Sequence, residues 1–196
     1  METKSDIRRR MIDLRASLSK EQRDAWSLDI ERHLYGLTLW TSAKTVVAYY
    51  AMPNEVATLS ILESALDSGK QLFLPRCVPG EKFFEAVEVH DLAADLVPGP
   101  LPGLMDPRPS LPAALEEQRF DLVLTPGIAF DAQGMRMGFG AGMYDKFLAL
   151  HPETCRIALA FSLQVLETLP TEPHDAPMHA ILTEKKCIVP STRFDS

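Results

Sequence analysis

The sequence lacks most of the features that would place it in a specialised class. It contains no run of about 18 apolar residues, so nothing in it reads as a membrane span. Cysteine is scarce. Cys77, Cys155 and Cys187 are scattered, odd in number and without CxxC spacing, which argues against a disulfide framework or a paired-cysteine metal site. They read as buried thiols in a reducing cytoplasm. Positive charge is not in surplus either: the formal net charge of −7 disfavours nucleic-acid binding, which needs a basic face. A local basic cluster can still hold a small anion. His174 and His179 lack the H-E-x-x-H spacing of a zinc site, and no Gly-Lys-Ser/Thr run is present to form a P-loop. Internal repeats and low-complexity tracts are missing as well. The opening METKSDIRRRMIDLR is basic but has no apolar stretch behind it, unlike a secretory leader. Its mixture of arginines with Ile7, Met11, Leu14 and Leu18 could pass for a transit peptide, but the helical spacing favours a folded helix.

What remains is a chain of 196 residues, 46% hydrophobic and 24% charged, which suits one ample α/β domain over residues 1–196. Helices are expected over 4–17 and, after Ser19 as cap, to about Tyr35. The run TVVAYY, Thr45 to Tyr50, reads as the first central strand. Thr58 is expected to cap a helix to Leu66 that Gly69 ends. A strand from Gln71 should stop at Pro75, and Phe83 to Val89 reads as an edge strand. Val97 to Pro112, with six prolines and two glycines, reads as a loop. Phe120 to Thr125 is a compact apolar strand, followed by a long loop to Gly142 and a helix from Met143 to Leu150. Strands at Arg156–Phe161, Ala180–Thr183 and Cys187–Val189 complete the pattern. Alternating strands and helices imply a three-layer αβα fold, a mostly parallel sheet flanked by helices on both faces.

The most informative stretch is DLVLTPGIAFDAQGMRMGFGAGMYDKFL, with Gly134, Gly138, Gly140 and Gly142 inside nine residues. Such a loop can bring backbone N–H groups round an anion, and the following helix adds its own free N–H groups and positive end. Arg136 adds a fork of donors. A dinucleotide fingerprint is excluded because Gly138 lies well beyond the strand end near Thr125. On the glycines alone, a flexible surface loop remains the alternative. Asp145 is equally readable as a carboxylate at a helix N-terminus or as a ligand for Mg²⁺ on nucleotide phosphates.

The run PGIAFDAQGMRMGFGAGMYDKF resembles the signature of the 5-formyltetrahydrofolate cyclo-ligase family, without a gap. Two positions depart from it: Met137 replaces a Leu or Ile, and Met143 replaces the first of two tyrosines. Tyr144 and Asp145 are retained. Lys4 and Arg8 match the family's K-x-x-x-R pair near the N-terminus; four apart on a helix they share a face, and they read equally well as a solvated basic patch. AYYAMPNEVATLSIL resembles the strand-loop-helix that carries the family's folate-site Glu, here Glu55, with Tyr50 at another substrate position. An early helix-turn acid and a core tyrosine are the plainer readings of that pair. LPRC, GLMDPRP and LPTEPHDAPMHAILTE also match, placing Arg76, Asp106 (Glu is usual there) and Asp175.

The resemblance implies the NagB/RpiA/CoA-transferase-like version of the αβα fold. It also implies ATP-dependent closure of 5-formyltetrahydrofolate to 5,10-methenyltetrahydrofolate. It assigns ATP phosphates to Lys4, Arg8 and the run Gly134, Met135, Arg136, Met137, Gly138, Phe139, Gly140, Ala141 and Gly142. Folate is assigned to Tyr50, Glu55 and Tyr144, catalysis to Arg136 and Tyr144, and Mg²⁺ to Asp145 and Asp175. A cytoplasmic monomer taking ATP and 5-formyltetrahydrofolate, with or without a polyglutamate tail, completes the expectation. A nucleotide-binding module without turnover, or a sugar-phosphate or CoA enzyme on a related scaffold, are the rivals.

Overall fold

The structure is a computed structural model and describes residues 2–172 and 175–190. Helix α1, Lys4–Ala16, begins on a reciprocal cap: Thr3 Oγ1 accepts from the Asp6 N–H at 3.2 Å and the Asp6 carboxylate accepts from the Thr3 N–H at 3.2 Å. Its buried face carries Ile7, Met11 and Arg15. Leu14, expected on that face, is exposed, because steps of four, four and three from Ile7 through Met11 and Arg15 to Leu18 follow one side of the helix. Ser19 caps α2, Lys20–Tyr35, by accepting from the Gln22 N–H. A short helix α3, Thr38–Ser42, absent from the sequence reading, buries Trp40.

Strand β1 covers only Thr45–Val47, shorter than TVVAYY suggests. After the Ala48 N–H donates to Phe73 O the chain leaves the ladder, and Thr58 ties down the departing loop. Its hydroxyl donates to Tyr49 O at 2.6 Å and accepts from the Ala51 N–H at 3.1 Å. Thr58 therefore spends its side chain on that loop, and α4, Leu59–Asp67, starts without a side-chain cap. Strand β2, Gln71–Cys77, runs through Pro75 instead of stopping there. The pairing with β1 ends at Phe73, so beyond it only β3, Phe84–Val89, is paired, and a proline on the open side breaks no ladder bond.

The proline-rich stretch is more ordered than expected. A helical turn α5, Leu92–Asp95, leads into β4, Leu96–Pro98, which pairs antiparallel with β5, Met105–Pro107. Strand β6, Leu122–Thr125, returns to the main sheet. The expected long loop after it contains a hairpin, β7, Ala129–Asp131, and β8, Arg136–Met137. Helix α6, Met143–Leu150, falls where the sequence placed it. Strand β9, Cys155–Leu159, is followed by β10, Val165–Leu166, β11, Ala180–Leu182, and β12, Cys187–Ile188.

The main sheet has the order β12-β11-β9-β6-β1-β2-β3, parallel through its centre and antiparallel at both edges. Side chains alternate between its faces. Val46, Leu72, Leu122, Ile157 and Ala180 join Ile30, Leu34, Ile61 and Leu62 of α2 and α4 on one side. Val47, Phe73, Val123, Ala158 and Ile181 join Phe147 and Leu148 of α6 on the other. Both faces are covered, which is why these strands read as unbroken apolar runs. Each fully buried Leu, Ile or Val contributes about 1.5–3 kcal/mol. Helix α1 packs separately: Ile7 and Met11 meet Ile128, Ala129 and Met137, placing the helix on the small β10-β7-β8 sheet.

The β7–β8 turn is pinned by Asp131, whose Oδ1 accepts from the Gln133 and Met135 N–H groups at 3.0 Å, while Oδ2 accepts from the Leu169 N–H at 2.9 Å. Gly134 completes it at φ +86°, and a Cβ there would lie 2.6 Å from Met178 O. Gly134→Ala should therefore destabilise the protein by about 2–4 kcal/mol, combining backbone strain with overpacking. A thermal midpoint unchanged within about 1 °C would refute that account.

Candidate active site

A cavity of about 780 Å³ opens at the carboxyl ends of β1, β2 and β6, where open α/β sheets collect their ligands. Each strand end contributes. Tyr49, Tyr50, Met52 and Glu55 follow β1, Pro75 and Cys77 end β2, and Pro126 follows β6. Lys4 and Arg8 come from α1, and an unbroken run from Arg136 to Asp145 forms the opposite wall. Pro170, Glu172 and Asp175 close one side; Leu101, Pro102, Leu104 and Met105 form an apolar rim from the β4–β5 segment.

The wall of the glycine loop is cationic and closely held. Arg8 Nε donates to Gly138 O at 2.9 Å. Gly140, at φ +108°, lets the loop pass Arg8, since a Cβ there would sit 3.6 Å from the guanidinium carbon. Lys4 Nζ lies 2.9 Å from Glu172 Oε1 and 3.6 Å from Asp175 Oδ2. Arg136 is buried; its Nη2 donates to Asp145 Oδ1 at 2.7 Å and its guanidinium lies 5.5 Å from the Tyr144 ring centre. Its Nε is buried without a hydrogen-bond partner. Gly142 begins α6 without a side-chain cap, so the first-turn N–H groups of α6 and the positive end of the helix face the same region.

The wall after β1 is carboxylic and phenolic. Glu55 is buried; Oε2 accepts from the Met52 N–H at 3.0 Å and Oε1 has no hydrogen-bond partner. Burial pushes Glu55 above the ordinary carboxylate range, and the Met52 N–H and Arg15 pull it part of the way back. Burial also raises Tyr144, with the Glu55 charge adding to the shift, and the Tyr144 hydroxyl likewise lacks a partner. Tyr49 is raised for the same two reasons. Both phenols therefore stay protonated near neutral pH, and the unpartnered Tyr144 hydroxyl can donate to a ligand.

The family model for 5-formyltetrahydrofolate cyclo-ligases matches residues 1–184. The chain belongs to the 5-formyltetrahydrofolate cyclo-ligase family. Among its relatives, the 5-formyltetrahydrofolate cyclo-ligase of Saccharomyces cerevisiae is 31% identical over 204 residues, covering 93% of this chain and 95% of the yeast protein. The solution structure of 5,10-methenyltetrahydrofolate synthetase from Aquifex aeolicus superposes with a TM-score of 0.83 at 30% identity, covering 98% of this chain and 95% of that one. A synthetase from Mycoplasma pneumoniae shares the fold at a TM-score of 0.73 and 21% identity, covering 92% of this chain and 98% of that one.

Set against the cyclo-ligase signature, the cavity gathers Lys4, Arg8, Tyr50, Glu55, Arg136, Met137, Gly138, Phe139, Gly140, Ala141, Gly142, Tyr144, Asp145 and Asp175 on one surface. Gly134 and Met135 do not line it: Gly134 packs on Met178, and Met135 packs against the α1 cluster. Arg136 lies on strand β8 and is fixed by Asp145, so it is not a mobile loop residue. Arg76 also stands off the cavity, holding Glu85 at 2.8 Å and the carbonyls of Arg108 and Leu111. Asp106 is buried behind Cys77, accepting from its N–H at 3.3 Å. His174 lies outside the described residues, and His179 Nδ1 accepts from the Arg156 N–H. The cysteines are free but not fully buried: Cys77 and Cys155 are half-buried and Cys187 is exposed.

Sequence reasoning passed over Glu172, although the LPTEP run contained it, and it passed over the apolar rim. Arg15 was passed over too. The signal was Arg15's place four residues after Met11 on the core-facing stripe.

Proposed function

We propose that the protein converts 5-formyltetrahydrofolate to 5,10-methenyltetrahydrofolate with conversion of ATP to ADP and phosphate. One observation carries this reading: a single cavity joins the cationic glycine-loop wall to the wall bearing Tyr50, Glu55 and Tyr144. A triphosphate and a reduced pteridine can therefore meet within it. The formyl oxygen of the substrate is amide-like and a poor leaving group. Transfer of the γ-phosphoryl group to that oxygen releases ADP; the second folate nitrogen then bonds to the formyl carbon and inorganic phosphate departs. Such chemistry asks for alignment and charge neutralisation, without a protein nucleophile. In this reading Lys4, Arg8, Arg136 and the loop N–H groups hold the phosphates. Glu55 accepts from the N–H groups of the pteridine, Tyr50 packs beside it, and Tyr144 donates its hydroxyl toward the reacting face.

The charge balance supports a divalent cation. Lys4, Arg8 and Arg136 face four cavity carboxylates, Glu55, Asp145, Glu172 and Asp175, so the protein alone does not offset a triphosphate. Among the described residues no group of three or more His, Cys, Asp or Glu side chains forms a metal cage. The cavity-lining carboxylates Asp145 and Asp175 fit Mg²⁺, which is commonly held by one or two carboxylates with phosphate oxygens and water. Asp145 and Asp175 are the residues that would hold it, and when bound it would neutralise charge on the transferring phosphoryl group. The free cysteines suit a reducing cytoplasm. No helix among the described residues is long and apolar enough to cross a membrane.

Purified protein given 5-formyltetrahydrofolate and Mg-ATP should develop the absorbance of the methenyl product, with one ADP formed per product. Omitting ATP should abolish it. Absence of product with fresh protein and metal would overturn the proposal. Met143 on the cavity wall motivates a second reading, a nucleotide-binding relative that has changed substrate. That protein would bind nucleotide without folate-dependent ADP release.

A further inference from the structure

Behind Glu55 lies a second buried charge. Arg15 is in the last turn of α1, on its buried face, and its side chain and that of Glu55 are 6% and 5% exposed. Arg15 Nη1 donates to Gly127 O at 3.3 Å and lies 4.0 Å from Glu55 Oε1. The guanidinium carbon stands 5.7 Å from the centre of the Phe139 ring, and Nε has no partner. A buried guanidinium is costly unless matched, and an apolar side chain would complete the Ile7–Met11 face of α1 more favourably. Packing alone therefore does not account for an arginine at this position.

Its neighbours suggest what does. Gly127 follows β6, Glu55 lies on the carboxylate wall, and Phe139 belongs to the glycine loop. We propose that Arg15 is a positioning residue of the active site, holding the Glu55 carboxylate charged and oriented while seating Phe139, so that one guanidinium sets both walls. The consequence for folate binding rests on the reading of Glu55 given above. Three titratable groups face Glu55: Arg15 from α1, Tyr49 after β1 and Tyr144 from α6. Both tyrosines are raised by burial and remain neutral, so Arg15 supplies the positive charge that opposes the desolvation of Glu55.

The sign of the effect follows directly. Removing Arg15 leaves burial less opposed, so Glu55 protonates at higher pH and less of it is ionised near neutrality. The test is a titration of the Glu55 carboxylate by carbon NMR in protein labelled at glutamate Cδ, with the signal assigned by its loss in Glu55→Gln. In Arg15→Met the midpoint should rise; in Arg15→Lys it should stay near that of the parent. The KM for 5-formyltetrahydrofolate should rise in Arg15→Met, by about tenfold for each pH unit of midpoint shift when measured below both midpoints, and the gap should close as pH is raised. The turnover number and the KM for ATP should change less.

A purely structural Arg15 would lower thermal stability in both variants while leaving the Glu55 midpoint and the pH profile unmoved, and that result would overturn the proposal. If Arg15→Met does not fold, Arg15→Gln paired with Glu55→Gln removes both buried charges. An Arg15→Gln effect on folate KM that is equal with and without Glu55→Gln would also defeat it. The titration needs no turnover. A midpoint shift in a protein that makes no methenyl product keeps the Arg15–Glu55 link and discards the folate reading instead.

Discussion

Arg136→Ala should lower kcat/KM for ATP-dependent turnover by about 10²–10³-fold, the loss seen when one preorganised donor is taken from a charge-stabilising site. Arg136 is held in place before any ligand arrives. It is buried, its Nη2 lies 2.7 Å from Asp145 Oδ1, and its Nε has no partner. Alanine removes that donor and leaves Asp145 without its ion-pair partner, so folding should weaken by about 3–5 kcal/mol. The two losses separate in a double-mutant cycle. Asp145→Asn added to Arg136→Ala should recover part of the stability, because it removes the stranded charge, and none of the turnover. Arg136→Lys should fold better than the alanine variant yet remain impaired, since a lysine cannot fork between a carboxylate and a phosphate. Unchanged kinetics in Arg136→Ala would remove the residue from the reacting centre.

Arg136 also shows where reading the sequence stops. Its identity and its place within the glycine run were visible. Its partner was not, because a contact across nine residues depends on how β8 turns into α6. The parallel sheet and both long N-terminal helices were legible from apolar runs and helical spacing, since each is a local pattern that the core then covers. Pro75 misled because the damage a proline does to a strand depends on which neighbour is missing, and that depends on the length of β1. Thr58 misled because a hydroxyl fit to cap a helix is equally fit to stitch a loop, and here Tyr49 O and the Ala51 N–H reached it first. The β7–β8 hairpin was hidden by its shortness. Its stability comes from the Asp131 carboxylate gathering three N–H groups, one of them as far along the chain as Leu169. The cavity's cationic side was legible as a motif, whereas its apolar rim and the ion pairs that occupy Lys4 and Arg136 needed the fold.

Glu55→Gln is expected to lower kcat/KM for 5-formyltetrahydrofolate by about 10²–10³-fold, the range for losing a charged hydrogen-bonding group from a desolvated site, with little change in KM for ATP. The substitution keeps shape but removes the charge and exchanges one acceptor oxygen for an NH2 donor, so the effect reads charge and acceptor capacity. Two pH experiments distinguish this from general damage. In the parent, kcat/KM for folate should fall as pH drops through a midpoint above the ordinary carboxylate range, because burial raises Glu55 and protonation replaces an acceptor with a donor. That limb should vanish in Glu55→Gln. Stability must follow the same ionisation. A carboxyl group with a folded-state pKa above its unfolded value favours folding most below the unfolded pKa, and this contribution is lost as pH rises through the folded pKa. The thermal midpoint of the parent relative to Glu55→Gln should therefore decline as pH is raised from about 4 towards neutrality. A difference that is flat with pH would mean that Glu55 is not titrating in its buried position. Retention of folate turnover by Glu55→Gln would mean that the pteridine is held elsewhere. The same desolvation that costs the fold stability at neutral pH leaves an undersatisfied carboxylate oxygen in the cavity, and a substrate with N–H groups can repay that cost on binding.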